Sequence, residues 1–314
     1  MLAGSRSYLQ LMRFPLIFAG WSDFLCGYFL AAAAAGVTPH PLRMGGMLAA
    51  ATLLGAGWMT LSDCFCYESD KEHGHAGPLP AGLLSAHAGF AVGLVMLLLA
   101  IACSTLISAE AGLLSVAGAL LIVLSAAFTR DLPVLGAVNV GFVRAMGMVI
   151  GMAFAVPNGP FVPKPELWGP VAAIFGYVFI VTQIASEEAR LNRERLLRLI
   201  GAMVVLLVAL NVLLYVSWLS KAGVELCILL SVFVAGTVGR LVYLGRRVAR
   251  ELTPESVQKL AIGGFVAAIV LNANFVAFAG RTGAAIGVLF LLLPTFLLLR
   301  FFHILFPGTR TAMD

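Results

Sequence analysis

Charge is scarce in this sequence. Only 11% of the 314 residues are Asp, Glu, Lys or Arg, 61% are hydrophobic, and the mean hydropathy is +1.00. A soluble domain carries roughly 25% charged residues, so the deficit excludes an ordinary water-facing surface and points to lipid. Cysteine is sparse as well. Cys26, Cys64, Cys66, Cys103 and Cys227 are odd in number and mostly lie inside apolar runs, which excludes a disulfide framework. Cys64 and Cys66 stand too close together for an ordinary zinc knuckle and read as small apolar core residues. The apolar–polar alternation of a membrane β-barrel is missing. So is a cleavable signal: Arg6 and Arg13 precede an apolar stretch too long for a signal core, which reads instead as the first span.

What the sequence does have is apolar length. Ten stretches stand out, near 12–34, 43–65, 83–106, 109–128, 134–155, 168–187, 199–218, 224–244, 260–279 and 283–305. Each is about the 20 residues that a helix needs to cross a bilayer core. Backbone groups in lipid must be satisfied internally, so the stretches are predicted to be helices. With short connectors between them, residues 1–314 form one all-α polytopic bundle. Gly45, Gly46, Gly136, Gly141, Gly147, Gly151, Gly263 and Gly264 recur within spans, as close helix packing requires.

The 20 Lys and Arg residues are distributed unevenly. With ten spans, Arg43, Lys164, Lys221 and Arg281 fall on one side and Arg144 lies inside the fifth span; all the others fall on the opposite side. The positive-inside rule then places both termini in the cytoplasm. The basic excess is a topology signal, and no nucleic-acid partner is expected. The setting is an integral membrane protein, expected in a bacterial cytoplasmic membrane.

Ionisable residues near or inside spans are the candidate functional groups. Asp63 and Asp70 follow the second span, seven residues apart, which on a continuous helix puts both on one face with Cys66 between them. Carboxylates at a cytoplasmic helix end can hold Mg²⁺, which in turn binds a diphosphate. The alternative is a pair of solvated helix-end acids. Arg144 and Asp23 lie within spans. They read either as an anion-binding pair of substrate-contacting groups or as a structural salt bridge with each other. Gln183, Glu187 and Arg190 share one helical face at the end of the sixth span, where Glu187 is a further candidate metal ligand and Arg190 a candidate substrate contact. Lys71, beside Asp70, is another candidate substrate contact. His73 and His75 bracket Gly74 in a loop without a metal-site pattern, and residues 77–82, Gly-Pro-Leu-Pro-Ala-Gly, form a rigid turn before the third span.

Together these segments resemble the UbiA-type intramembrane prenyltransferase superfamily, most closely its EboC-like branch. Residues 13–28 resemble the family's opening helix. Asp63 to Asp70 resembles its first aspartate-rich motif, NDxxDxxxD, and residues 77–85, GPLPAGLLS, are similar to RPLPSGxLS. Gly141 to Gly151, with Arg144, resembles GxxRxxNxxxG. The sequence departs from the pattern at Ser62, Cys66, Gly77 and Gly147. It has no DxxxD after the sixth span, where Glu187, Glu188 and Asn192 are nearest. Each departure removes a metal ligand or a phosphate donor.

The resemblance implies a ring of about nine transmembrane helices around a central cavity, with a tenth helix at the C-terminal end. It implies that a prenyl diphosphate binds there through Mg²⁺, and that the prenyl group passes to an acceptor the sequence does not name. Asp63 and Asp70 would be the catalytic and metal-binding acids, with Glu187 as a further ligand. Arg144, Glu187, Arg190, Lys71 and Asp23 would contact substrate. Loss of the second acidic motif leaves a different reading open, in which the fold carries a lipid or isoprenoid, or scaffolds partners, without turnover. An ion-coupled transporter would suit Asp23 and Arg144, but no inverted repeat is visible.

Overall fold

The computed structural model describes residues 7–8, 11, 17–72, 78–129, 132–156, 164–188, 190–218 and 224–305. Residues 13–15, His73, His75, Gly77, Arg130 and Lys221 fall outside them. The described residues are helical with no strand. The elements are α1 (Ile17–Ala34), α2 (Pro41–Phe65), α3 (Tyr67–Glu72), α4 (Ala86–Ile107), α5 (Ala109–Leu124), α6 (Pro133–Ala155), α7 (Trp168–Ser186), α8 (Arg193–Trp218), α9 (Val224–Glu251), α10 (Pro254–Phe278), α11 (Thr282–Phe290) and α12 (Leu292–Leu305). Among the described residues, eight helices are long and apolar enough to cross a membrane: α1, α2, α4 to α8 and α10, with α5 extended by a π-turn to Thr129 and α7 by a 3-10 turn from Pro165.

Two of the ten predicted stretches differ from a simple span. Residues 224–244 belong to the longer helix α9, which is not among those eight and carries Arg240, Arg246, Arg247 and Arg250. The last stretch is two helices separated at Leu291. Pro294 explains the break: it lacks an N–H and its ring clashes with the carbonyl four residues earlier, so it is tolerated only in the first turn of a new helix, α12.

The surface is apolar. Leu106 is 87% exposed, Val216 75% and Leu113 72%, an arrangement that water would penalise and lipid would not. Inside, α1 and α10 are the most deeply buried spans. Neighbour packing runs α1–α2–α4–α5–α6–α7–α8, and α10 closes the ring by packing on α1, α7 and α8. Across the ring α1 also packs along α6. Glycine makes that approach: a Cβ on Gly27 would strike the carbonyl of Met148, and one on Gly151 the carbonyl of Phe24.

Side-chain bonds define the two ends of the bundle. At one end Lys164 Nζ donates to the Ala34 carbonyl (2.7 Å) and Arg281 Nη2 to the carbonyls of Val37 (2.9 Å) and Ala32 (3.5 Å). Lys164 satisfies a carbonyl that the last turn of α1 leaves open, and both cations complement the negative dipole end of that helix. At the other end Gln183 Nε2 donates to the Pro133 carbonyl (3.1 Å), joining the last turn of α7 to the start of α6. Helix α2 begins near the Ala34 end and therefore delivers Asp63 to the Pro133 end.

Candidate functional site

A cavity of ≈ 450 Å³, including its open mouth, lies among α1, α2, α5 and α6. Its wall is largely apolar: Phe24, Leu54, Trp58, Ile122 and Ile150 contribute most of the bulk. Its charged groups are Asp23 and Arg144, and they are paired with each other. Arg144 Nε and Asp23 Oδ2 form an ion pair, while Arg144 Nη2 donates to Asp23 Oδ1 (3.2 Å) and to the Ala19 carbonyl (2.9 Å). Asn272, from α10, donates through Nδ2 to Asp23 Oδ1 (2.7 Å) and Ser22 Oγ (2.9 Å). Of the two readings the sequence leaves open, the geometry contains the salt bridge. Three helices, α1, α6 and α10, meet in this knot.

The first acidic segment sits at the end of α2. Trp58 lines the cavity, and Asp63 follows five residues later, about 7.5 Å further along the axis. The continuous helix expected through Asp63 and Asp70 is interrupted. Helix α2 ends at Phe65, Cys66 caps it with a non-helical backbone, and α3 starts at Tyr67. The two aspartates thus belong to separate helices on either side of a buried Cys66, with backbone hydrogen bonds from Cys66 N to the Ser62 carbonyl (3.2 Å) and from Asp70 N to the Cys66 carbonyl (2.8 Å) running across the break. Both are half-buried. Lys71, on α3, is exposed and places its ammonium 5.8 Å from the centre of the Tyr67 ring. The proline turn folds back on itself: the N–H groups of Leu83 and Leu84 both donate to the Pro78 carbonyl, at 3.0 and 3.3 Å. Gly82 closes the turn with φ +70°, a conformation that favours glycine.

At the end of α7 the expected common face is only partly formed. The helix stops at Ser186. Arg190 follows in the turn, its N–H donating to the Glu187 carbonyl (3.1 Å), and Leu191, with φ 50°, reverses the chain into α8. The cation that meets Gln183 and Glu187 is Arg195, from the first turn of α8. Its Nε lies 3.1 Å from Glu187 Oε1 and its Nη2 donates to Gln183 Oε1 (2.8 Å). Glu187 is fully buried and its nearest cation is Arg195. Arg195 and Asn272 are the residues that sequence reasoning missed. Asn272 had a signal, being a polar residue inside an apolar run. Arg195 had none, because its partners lie on another helix.

No group of three His, Cys, Asp or Glu residues among the described ones could hold a metal alone. Mg²⁺ binds through one or two carboxylates plus substrate phosphates, and Asp63, at the end of α2, and Asp70, on α3, are two carboxylates at one end of the bundle.

The fold is that of the intramembrane UbiA-type helical bundles. A structure of digeranylgeranylglyceryl phosphate synthase in membranes superposes with TM-score 0.57 at 16% identity, covering 88% of this chain and 98% of that one. A UbiA homolog from Archaeoglobus fulgidus bound to DMAPP and Mg²⁺ gives 0.54 at 16%, covering 88% and 98%. The apo UbiA homolog from Aeropyrum pernix K1 gives 0.56 at 16%, covering 85% and 97%. The family model of the UbiA prenyltransferases matches residues 24–252, and the chain belongs to that family. No curated protein sequence matches it.

Proposed function

We propose that this protein is a membrane prenyltransferase of the EboC-like branch that takes a prenyl diphosphate into the α1–α2–α5–α6 cavity and passes the prenyl group to an acceptor. The observation that carries the reading is that Asp63 lies in the last turn of α2, the helix whose Trp58, Gly55, Leu54 and Ala51 line the cavity, with Asp70 and the Pro78–Gly82 turn just beyond it. An apolar chain fits the wall, and the acids stand where its diphosphate end would emerge. Asp63 and Asp70 would hold Mg²⁺ together with the diphosphate, and the bound ion would supply neutralisation of the charge developing on the leaving group. The apolar wall keeps water from the reacting carbon. Lys71 and Arg190 stand at the same end as further cations. That end faces the cytoplasm, in keeping with the lysine and arginine bias.

The test is release of diphosphate from prenyl diphosphates by the purified protein. Release that requires Mg²⁺ and disappears in Asp63→Ala and Asp70→Ala is the expected result. Unchanged release in both variants overturns the assignment.

One observation favours a second reading. Asp23 and Arg144 neutralise each other in the cavity wall, and Glu187 is committed to Arg195. A protein so arranged could hold an isoprenoid or other lipid without turning it over. A bound lipid retained through purification, with no diphosphate release, distinguishes that carrier from the enzyme.

A further inference from the structure

Resting on the reading above, we infer that Arg195 is a built-in cation for the substrate's diphosphate, positioned by Glu187 and Gln183, so that binding needs only the Mg²⁺ at Asp63 and Asp70. Three observations converge on it. First, two of its three guanidinium nitrogens face partners: Nη2 donates to Gln183 Oε1 at 2.8 Å and Nε stands in ion-pair contact with Glu187 Oε1 at 3.1 Å. The third, Nη1, has no partner among the described residues. Secondly, the holder is buried and the held group is not. The Glu187 side chain is 0% exposed, while that of Arg195 is 36% exposed. A cation locked from behind and open in front is pre-organised for an anion, because little rotamer freedom remains to be lost on binding. Thirdly, Gln183 is itself anchored, by its Nε2 bond to the Pro133 carbonyl, so the guanidinium is referenced to α6, α7 and α8 together.

The placement suits a diphosphate. Arg195 stands at the same end of the bundle as Asp63. The neighbouring Arg198 is matched by Glu194 at 2.9 Å. Glu187 answers the charge of Arg195 from within the protein as an ion pair, and neither Oε1 nor Oε2 accepts a hydrogen bond among the described residues. The pair is therefore a carboxylate engaged in orienting an arginine. Glu187 and Gln183 are positioning residues in this scheme, and Arg195 is the group that touches the anion.

The experiment measures binding of inorganic pyrophosphate and of geranyl diphosphate to the detergent-solubilised full chain across a Mg²⁺ titration. Wild type, Asp63→Ala, Arg195→Ala, Arg195→Lys and the double variant Glu187→Gln with Arg195→Ala are compared. The double variant removes the cation without stranding a buried carboxylate, so it separates loss of the anion site from loss of the fold. Removing a charge-assisted contact to phosphate weakens binding roughly 10- to 100-fold. That loss is expected in Arg195→Ala and in the double variant for both probes, with the Mg²⁺ midpoint unchanged and partial recovery in Arg195→Lys. The wild-type Mg²⁺ dependence is expected to follow a single ion. Wild-type affinity in both Arg195 variants, alongside lost binding in Asp63→Ala, overturns the inference and leaves the functional reading intact. Absence of any diphosphate binding by the wild type overturns both.

Discussion

Arg144 on α6 and Asp23 on α1 are joined by an ion pair, and Asn272 of α10 donates to the same carboxylate at 2.7 Å. Both charged residues are within a tenth of full burial. They lie in spans whose other buried residues are nearly all apolar, so neither charge has water to fall back on. The pair keeps the cavity wall neutral and fixes the ring where its first and last parts meet.

Removing one partner should therefore be far worse than removing both. Breaking a buried pair leaves an uncompensated charge and costs about 3–5 kcal/mol, whereas an apolar replacement of both is often neutral. Asp23→Ala and Arg144→Ala are each expected to lose that much stability in detergent. Asp23→Leu combined with Arg144→Met should recover most of it. Thermal unfolding followed by tryptophan fluorescence reads the difference.

The contact between α1 and α6 makes a second expectation. A methyl group at Gly27 or Gly151 meets backbone carbonyls, which cannot rotate away. Gly27→Ala and Gly151→Ala should each destabilise by about 1–3 kcal/mol through overpacking. Gly20→Ala, where a Cβ meets nothing within 4 Å, should unfold at or slightly above the wild-type temperature in the same assay, because alanine favours a helix over glycine by about 0.5–1 kcal/mol.

Orientation can be checked with single thiols in a chain whose native cysteines are replaced by serine or alanine. Lys71→Cys and Lys164→Cys lie at opposite ends of the bundle. In intact cells, a membrane-impermeant maleimide is expected to label residue 164 and to reach residue 71 only after the membrane is opened. The reverse pattern would invert the topology drawn from the basic residues.

Hydrophobic length made the spans legible in the sequence, because a bilayer sets helix length almost independently of packing. The stretches near 109–128 and 134–155 correspond to Ala109–Thr129 and Pro133–Ala155. Packing-dependent features were not legible. Whether Arg144 serves Asp23 or an anion depends on which helices meet. The join at Cys66 between α2 and α3 interrupts a helix that spacing alone would draw as continuous. Arg195 reaches Glu187 across a chain reversal at Leu191, and helical periodicity says nothing across such a turn. Lys164 and Arg281 stand against the charge bias for a reason only the fold reveals, since both cap carbonyls at or just beyond the end of α1.

The central claim is that Asp63 still serves a Mg²⁺–diphosphate at the mouth of the cavity. Its most direct test is the affinity of the purified protein for geranylgeranyl diphosphate, with Mg²⁺ and with chelator, beside Asp63→Ala. The account predicts tight binding by the wild type with Mg²⁺, and loss of at least tenfold, the equivalent of about 1.4 kcal/mol, on either chelation or substitution. Binding indifferent to both Mg²⁺ and Asp63 would contradict it.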